Sequence, residues 1–590
     1  MMLHDSHDAF YRVPAGPVPT GQDILFRFRC DEASSVILRT WSGTEHAYSM
    51  IPSQADAHVW EVSIKAPSEP GLFWYDFIIY RRDNRVVRYG NADDQLGGVG
   101  VSREDGSSPA SYQLTVYRRS YRTPAFMHGA NIYQIFPDRF FKAPTQSVDP
   151  RTDRPMHKCW DEPVLYEKDS PDGSYQALDC YGGTINGIIE KLPYLKELGV
   201  TVIYLNPVFK SRSNHRYDTG DYTQVDPLLG TNEELGMLFT RAKEMNMHVM
   251  LDGVFSHTGA DSLYFNQYGN YPGKGAYQGK ESPYYSWYTF RHFPNDFKCW
   301  WNFANLPECR KDNPDYQQFM FQDETGIVPR WIHAGSCGWR LDVADELSMD
   351  FLRKLRVAAK KADHDAVVLG EVWEDASNKI AYNELRCYCC GDTLDSVMNY
   401  PLREAILGFV SGKGTAHDLV RLVKHQAEVY PPQFRYALMN LVGSHDRARA
   451  LNVLVGRDGQ GMQRAEQAAL TLSHAEYALA VKRYKLCIDL LCALPGCPTV
   501  YYGDEAGMTG CTDPFCRKPY PWGKEDRELR SYVRAKLTHH RHSIVLRLGH
   551  CEIEALDDDT VRIRRFLNGS DGLGHKAADG VQEIVTVNRK

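Results

Sequence analysis

Four carboxylates stand at the ends of short apolar runs, where few are expected. They are Asp252 in HVMLDGVF (248–255), Asp342 in GWRLDV (338–343), Glu371 in AVVLGEVW (366–373) and Asp446, which closes YALMNLVGSHD (436–446). Acidic residues are poor strand formers, and a carboxylate in a run apolar enough to be buried on both faces needs a partner or a task. Retaining glycoside hydrolysis supplies such a task. It takes two carboxyls about 5–5.5 Å apart, one to attack the anomeric carbon and one to carry a proton. Neighbouring strands lie about 4.8 Å apart, so Asp342 and Glu371 at the ends of adjacent strands fall in that range. Arg340 precedes Asp342 by two residues, and the period of a strand turns both side chains to one face. A guanidinium there is expected to keep the nucleophile ionised. Glu371, followed by Val372 and Trp373, is expected in drier surroundings, as a proton donor requires. His257 and His445 add ring N–H groups suited to hydroxyls. The competing reading, structural ion pairs, serves any single carboxylate but not a set that shares one rim.

The elements that must position these groups are legible as alternating runs. Besides the four above, NIYQIFP (131–137), VTVIYLNP (200–207), LDSVMNYP (394–401) and PTVYYGDE (498–505) read as strands, making eight. Helix-period stretches lie between most of them. In TINGIIEKLPYLKELG, residues Ile185, Ile188, Ile189, Leu192, Leu195 and Leu198 keep one apolar face despite Pro193. Eight βα units over 125–546 predict an α/β chain built on a (β/α)8 TIM barrel, with its active site at the C-terminal ends of the strands. Residues 1–124 alternate apolar with polar in segments such as DILFRFRC (23–30) and LFWYDFIIYR (72–81), which predicts an N-terminal β-sandwich. Its Trp41, Trp60 and Trp74 are expected mainly in the core, with an exposed one free to stack on sugar. The connection 257–337 is long enough to be a subdomain on the third loop, where Trp287, Trp300 and Trp301 either wall a cleft or pack in a core. Residues 141–181 form a second excursion. Residues 547–590 read as a small C-terminal β domain that looks short.

Bulk properties narrow the function classes. A chain of 590 residues exceeds one ordinary core, and 43% hydrophobic with 24% charged residues fits a globular enzyme. A net charge of −7 argues against a nucleic-acid partner, and no apolar run is long enough to suggest a membrane span. The N-terminus lacks the basic and apolar regions of a secretory signal. Fifteen cysteines, an odd number without a compact framework, read as reduced thiols and a cytoplasmic location. Cys387, Cys389 and Cys390 lack the paired spacing of a zinc module, so no metal ligands are assigned.

At this point the chain resembles the α-amylase family of glycoside hydrolases. DGVFSH (252–257), GWRLDVADE (338–346), GEVW (370–373) and LVGSHD (441–446) match its four blocks in order. Within the family it is most similar to the neopullulanase, cyclomaltodextrinase and maltogenic amylase group, through IYQIFPDRF (132–140), NHRYDTGDYTQVDPLLGT (214–231), SVMNYPL (396–402) and DPFCRKPYPW (513–522). The resemblance implies a catalytic set of Asp342 as nucleophile, Glu371 as acid/base and Asp446 as transition-state stabiliser. It implies a substrate-binding set of Tyr217, which stacks on the sugar, with His257, Arg340, His445, Trp373 and Asp252; Asp252 and Asp218 organise the site more than they react. It also implies an α-glucan oligosaccharide substrate and a homodimer formed through the sandwich. Three departures qualify it. Ser256 replaces the usual Asn and FKAPTQ follows PDRF, so no cofactor is expected to be required, with calcium left open. VADE (343–346) replaces VANE, so Asp345 leaves the choice between α-1,4 and α-1,6 bonds open. The C-terminal domain is shorter than in relatives. The expectation is a retaining hydrolase of cyclodextrins, maltooligosaccharides or pullulan. The alternatives are a transferase of the same family and a catalytically silent glucan-binding homologue, which the intact carboxylates oppose.

Overall fold

The computed structural model describes residues 2–143, 154–168 and 175–590. Its centre is a parallel barrel whose strands we label β1 (Ile132–Ile135), β2 (Val202–Leu205), β3 (His248–Gly253), β4 (Gly338–Leu341), β5 (Val367–Gly370), β6 (Ser396–Val397), β7 (Met439–Asn440) and β8 (Cys497–Tyr501). They pair in the order β6-β5-β4-β3-β2-β1-β8-β7. A parallel bridge between Met398 and Met439 closes the ring, with the Asn399 N–H donating to the Met439 carbonyl at 2.9 Å. Seven of the eight expected runs contain their strand, and the eighth, 498–505, overlaps β8, which starts one residue earlier. β1, β2, β4 and β5 are buried at every position, which is what strands covered on both faces demand of their sequence.

The helices obey ordinary end rules. The helix Ile185–Leu198 starts where the Thr184 side chain accepts from the Gly187 N–H and stops at Gly199, whose φ of 92° suits a residue without Cβ. It buries Ile185, Ile188, Leu192, Leu195 and Leu198 against the barrel and turns Pro193 to solvent. Ile189, expected on that face, is only half-buried.

The long third loop is tied at its base by the bridge from His257 to Glu308 and internally by those from Tyr288 to Cys309 and Cys299 to Pro307. It has its own aromatic packing around buried Trp287, whose ring meets Tyr264, Tyr316 and Phe319. Trp287 is therefore core and not cleft wall. Two helices, Pro314–Phe321 and Ile327–His333, return the chain to β4.

The N-terminal residues form two largely antiparallel sheets, one around Asp23–Cys30 and Val59–Lys65, the other around Ala33–Trp41, Gly71–Arg81 and Tyr112–Tyr117. Ile24, Phe26, Phe28, Phe77 and Tyr112 fill the space between them. Trp60 is buried in this core, whereas Trp41 lies opposite half-buried Trp74 on the other face. The sandwich rests on the barrel helix Ala416–Val429 through Glu428, which sits 3.0 Å from His7 and 3.8 Å from Arg12. At the other end, His550–Asp557, Thr560–Ser570 and Lys576–Asn588 make a three-stranded sheet. Its Ile553, Val561, Ile563 and Val587 join the main core of the barrel.

The reading of all cysteines as reduced is corrected at one place. Cys387 and Cys390 form a disulfide. Their C-x-x-C spacing was overlooked in favour of the triplet with Cys389; the turn through Tyr388 brings the two Cα atoms to 6.1 Å, inside the bonding range.

Candidate active site

Strand register builds the site. Leu341 pairs with Gly370, so the next residues, Asp342 and Glu371, leave neighbouring strands side by side. Asp252 pairs with Arg340 across β3 and β4. The guanidinium of Arg340, fully buried, is the hub. Its Nη1 lies 2.8 Å from Asp252 Oδ1 and 3.1 Å from Asp342 Oδ1, and its Nη2 lies 2.8 Å from Glu371 Oε2. One cation thus touches three carboxylates.

Arg340 favours the ionised form of Asp342, as expected, but burial and the neighbouring carboxylates oppose it. Burial pushes the Asp342 carboxyl well above the ordinary range; Arg340 pulls it down, while Glu371, Asp252 and Asp446 push it up again. Asp446, half-buried on the loop after β7, is pushed up to about 7 by burial and by Glu371, against Arg517 and Arg340.

Glu371 is buried, as expected, and every contact it makes is a donor. Its Oε2 accepts from the Val343 N–H at 2.8 Å besides facing Arg340, and its Oε1 accepts from Trp373 Nε1 at 3.1 Å. Val343 reaches that position with φ 37°, a costly left-handed conformation for a β-branched residue, directly after Asp342.

The remaining members line up behind the acids. The Tyr217 hydroxyl donates to Asp252 Oδ2 at 2.9 Å and accepts from Asn206 Nδ2 at 2.9 Å. Its ring stacks on His445 at 5.3 Å with planes 5° apart. With Gln134 Nε2 donating to His445 Nδ1 at 2.9 Å, the ring proton sits on Nε2, 2.6 Å from the Tyr217 hydroxyl and 3.1 Å from Asp446 Oδ2. Burial, with Arg517 and Arg340 nearby, holds His445 far below the usual imidazole range, so it is neutral. His257, pushed down to about 4 by burial, has both nitrogens engaged, Nδ1 with Ser256 Oγ at 2.8 Å and Nε2 with the Tyr217 carbonyl at 3.0 Å. Asp218 is tied to the Ser213 N–H at 3.1 Å and organises the loop that carries Tyr217.

Two members of the expected substrate-binding set are engaged with protein groups. Asp252 is 2% exposed, and Arg340, Tyr204 (2.6 Å) and Tyr217 take its oxygens, so it fixes the guanidinium and the phenol, the organising place expected of it. Trp373, half-buried, has its ring stacked on Tyr400 at 4.2 Å, with the Arg447 guanidinium also 4.2 Å from its centroid.

Several contributors were not read from the sequence. Tyr204, Asn206 and Gln134 passed as strand residues, although a polar group inside a buried run is itself a signal. Arg517, in the stretch 513–522, approaches Asp446 Oδ1 at 3.5 Å and donates from Nε to the His445 carbonyl at 3.0 Å. Asp345 is bound to Lys379 Nζ at 2.6 Å and to the Tyr388 hydroxyl, on the excursion that follows β5. Trp300 tilts against His257 at 5.3 Å and stacks on Trp301, which is 64% exposed and donates to Glu346 at 3.0 Å, so this pair stands beside the site.

Comparison with known proteins agrees with this geometry. Residues 134–543 match the family model described as Alpha amylase, catalytic domain. An amylopullulanase of Thermoanaerobacterium thermosulfurigenes is 34% identical over all of this chain but only 33% of its own length. Neopullulanase 2 of Thermoactinomyces vulgaris is 32% identical over 73% of this chain and 66% of its own. The chain spans a third to a half of the length of the amylopullulanases it matches. Among solved structures, a cyclomaltodextrinase superposes with TM-score 0.65 at 25% identity, covering 96% of this chain and 90% of that one. The cyclic alpha-maltosyl-(1-->6)-maltose hydrolase of Arthrobacter globiformis does so with TM-score 0.63 at 30% identity, over 75% of this chain and 90% of its own. With two carboxyls side by side on adjacent strands and a third above them, on a barrel that this family model matches over most of its length, the chain belongs to the α-amylase family of glycoside hydrolases.

Proposed function

We propose that the protein is a retaining α-glucan hydrolase, cutting α-1,4 bonds in cyclodextrins, maltooligosaccharides or pullulan. The observation that carries this is the register-matched pair Asp342 and Glu371, both against Arg340. Asp342 attacks the anomeric carbon while Glu371 protonates the departing glycosidic oxygen. The resulting glycosyl ester is cleaved by water that Glu371 deprotonates. Asp446 and neutral His445 receive ring hydroxyls, and Asp446 stabilises the positive charge that develops on the sugar. A sugar hydroxyl in place of water gives transfer by the same second step. The α-1,6 bond is a second target in this reading, supported by the names of the pullulan-cleaving relatives.

Reducing-sugar release from β-cyclodextrin, pullulan and maltotriose tests the proposal. Labelled maltotriose separates the outcomes, since longer labelled products report transfer. No release from any of the three by the purified protein, with Glu371→Gln equally inert, removes the enzyme reading in favour of a silent binder.

We read the enzyme as needing no cation. Near the segment after PDRF, Asp138 accepts the Tyr181 and Gly182 N–H groups and faces Arg139, while Asp179 faces Arg139, His157 and Asn214. Donors already occupy the oxygens a calcium ion would need. Residues 144–153, part of the stretch compared for calcium, lie outside the described ones. Activity after exhaustive EDTA dialysis is expected to stay within about twofold of the untreated enzyme, read by reducing-sugar assay; loss restored by calcium sinks this view.

We also propose a cytoplasmic homodimer paired through the sandwich. Among the described residues no helix is long and apolar enough to cross a membrane. Light scattering at micromolar concentration should give twice the chain mass, and a monomer removes the dimer.

A further inference from the structure

Trp373 follows the proton carrier by two residues, and three contacts fix it. Its ring lies flat on Tyr400, with centroids 4.2 Å apart and planes at 5°. The Arg447 guanidinium carbon lies 4.2 Å from the same centroid. Both groups lie against the indole, which is half-buried. Its Nε1–H points at Glu371 Oε1, 3.1 Å away.

A carboxyl offers about four in-plane lone-pair sites, two on each oxygen. On Glu371, Oε2 accepts from the Val343 N–H at 2.8 Å and lies 2.8 Å from the Arg340 guanidinium, whose positive charge disfavours a proton on that oxygen. Trp373 takes one site on Oε1. The other site on Oε1 is left for the proton that is to reach the glycosidic oxygen.

We propose that Trp373 is a positioning residue that selects which lone pair of Glu371 carries the catalytic proton, and that Arg447, next to Asp446, is the clamp that keeps the indole aimed. The role rests on the retaining-hydrolase reading above and replaces that of a sugar platform. Without the N–H, the proton occupies either site on Oε1, and the broad terminal torsion of a Glu side chain adds further misdirection.

The test uses two donors with different leaving groups. Maltotriose needs a proton on its leaving oxygen. In α-maltosyl fluoride the C–F bond breaks as the Asp342 ester forms, and fluoride departs as an anion without one. Trp373→Phe keeps an aromatic ring for the stack and removes the N–H together with the pyrrole ring. Its kcat/KM, which reports the ester-forming step, is expected to fall about 10- to 100-fold on maltotriose, the worth of one hydrogen bond to a charged group, and at most about threefold on the fluoride. Arg447→Leu is expected to show the same split at smaller size, and Arg447→Lys to recover most of it. Equal losses on both donors, or a rise in KM with kcat unchanged, overturn the proposal; the second result would restore Trp373 as a sugar platform. Wild-type protein that is inert on both donors would instead end the hydrolase reading, so the two failures are distinct.

Discussion

Glu371→Gln is expected to lower kcat/KM on maltotriose by about 10²- to 10⁴-fold, the usual span for a positioned acid–base group. The same variant should still react with α-maltosyl fluoride in a first burst, because Asp342 remains and fluoride needs no proton. The glycosyl ester then accumulates, since no group is left to deprotonate water. Azide, an anion that needs no base, should attack the ester and release an azide product with the α configuration retained. Asp342→Asn removes the attacking atom itself, so it should be inert on both substrates and gain nothing from azide. Initial rates with and without azide, together with product anomer by NMR, check the pair of outcomes. Rescue of Asp342→Asn with the α configuration retained, and not of Glu371→Gln, would reverse the assigned roles.

The sequence displayed the barrel and its three acids because both obey rules with short range. A strand buried on both faces must be apolar, so a carboxylate in it stands out, and Asp342 and Glu371 were visible for that reason. Their adjacency also followed, because consecutive βα units place consecutive strands together. What remained hidden depends on which atoms meet after closure. Arg340 was read as the partner of Asp342 alone, since a two-residue period shows only neighbours on the same strand. Asp252 and Glu371 reach it from both flanking strands. Trp373 read as a free aromatic because nothing in GEVW announces that Tyr400, at the start of a later helix, and Arg447, beside Asp446, will pack against its ring. The small C-terminal sheet was legible as strands, yet its packing into the barrel core was not, because alternation says that one face is covered and is silent on what covers it.

Arg340→Met should show how strongly the site leans on one charge. The guanidinium is fully buried, and its removal leaves Asp252, Asp342 and Glu371 facing one another without a cation between them. Breaking a buried ion pair from one side costs about 3–5 kcal/mol, and here three partners lose it at once. Activity should disappear, and the melting temperature at neutral pH should fall by several degrees. The pH dependence carries the sign. A carboxyl raised in the folded state binds its proton there at pH values where the unfolded chain has released it. The stability this contributes is present at low pH and is lost as pH rises through the raised value. Asp342, Asp252 and Asp446 are all raised in this way, principally by burial, so the wild type already loses part of its stability on going from acid toward neutral pH. With Arg340 gone the carboxyls rise further, and thermal melts from pH 5 to 8 should show a steeper decline than in the wild type. Adding Asp252→Asn removes one of the stranded charges and should recover stability at pH 8 without recovering activity, since Asp342 and Glu371 would still lack the group that holds them. If Arg340→Met melts within a degree of the wild type across that range, the three carboxylates do not depend on the shared cation, and the electrostatic account of the site fails with it.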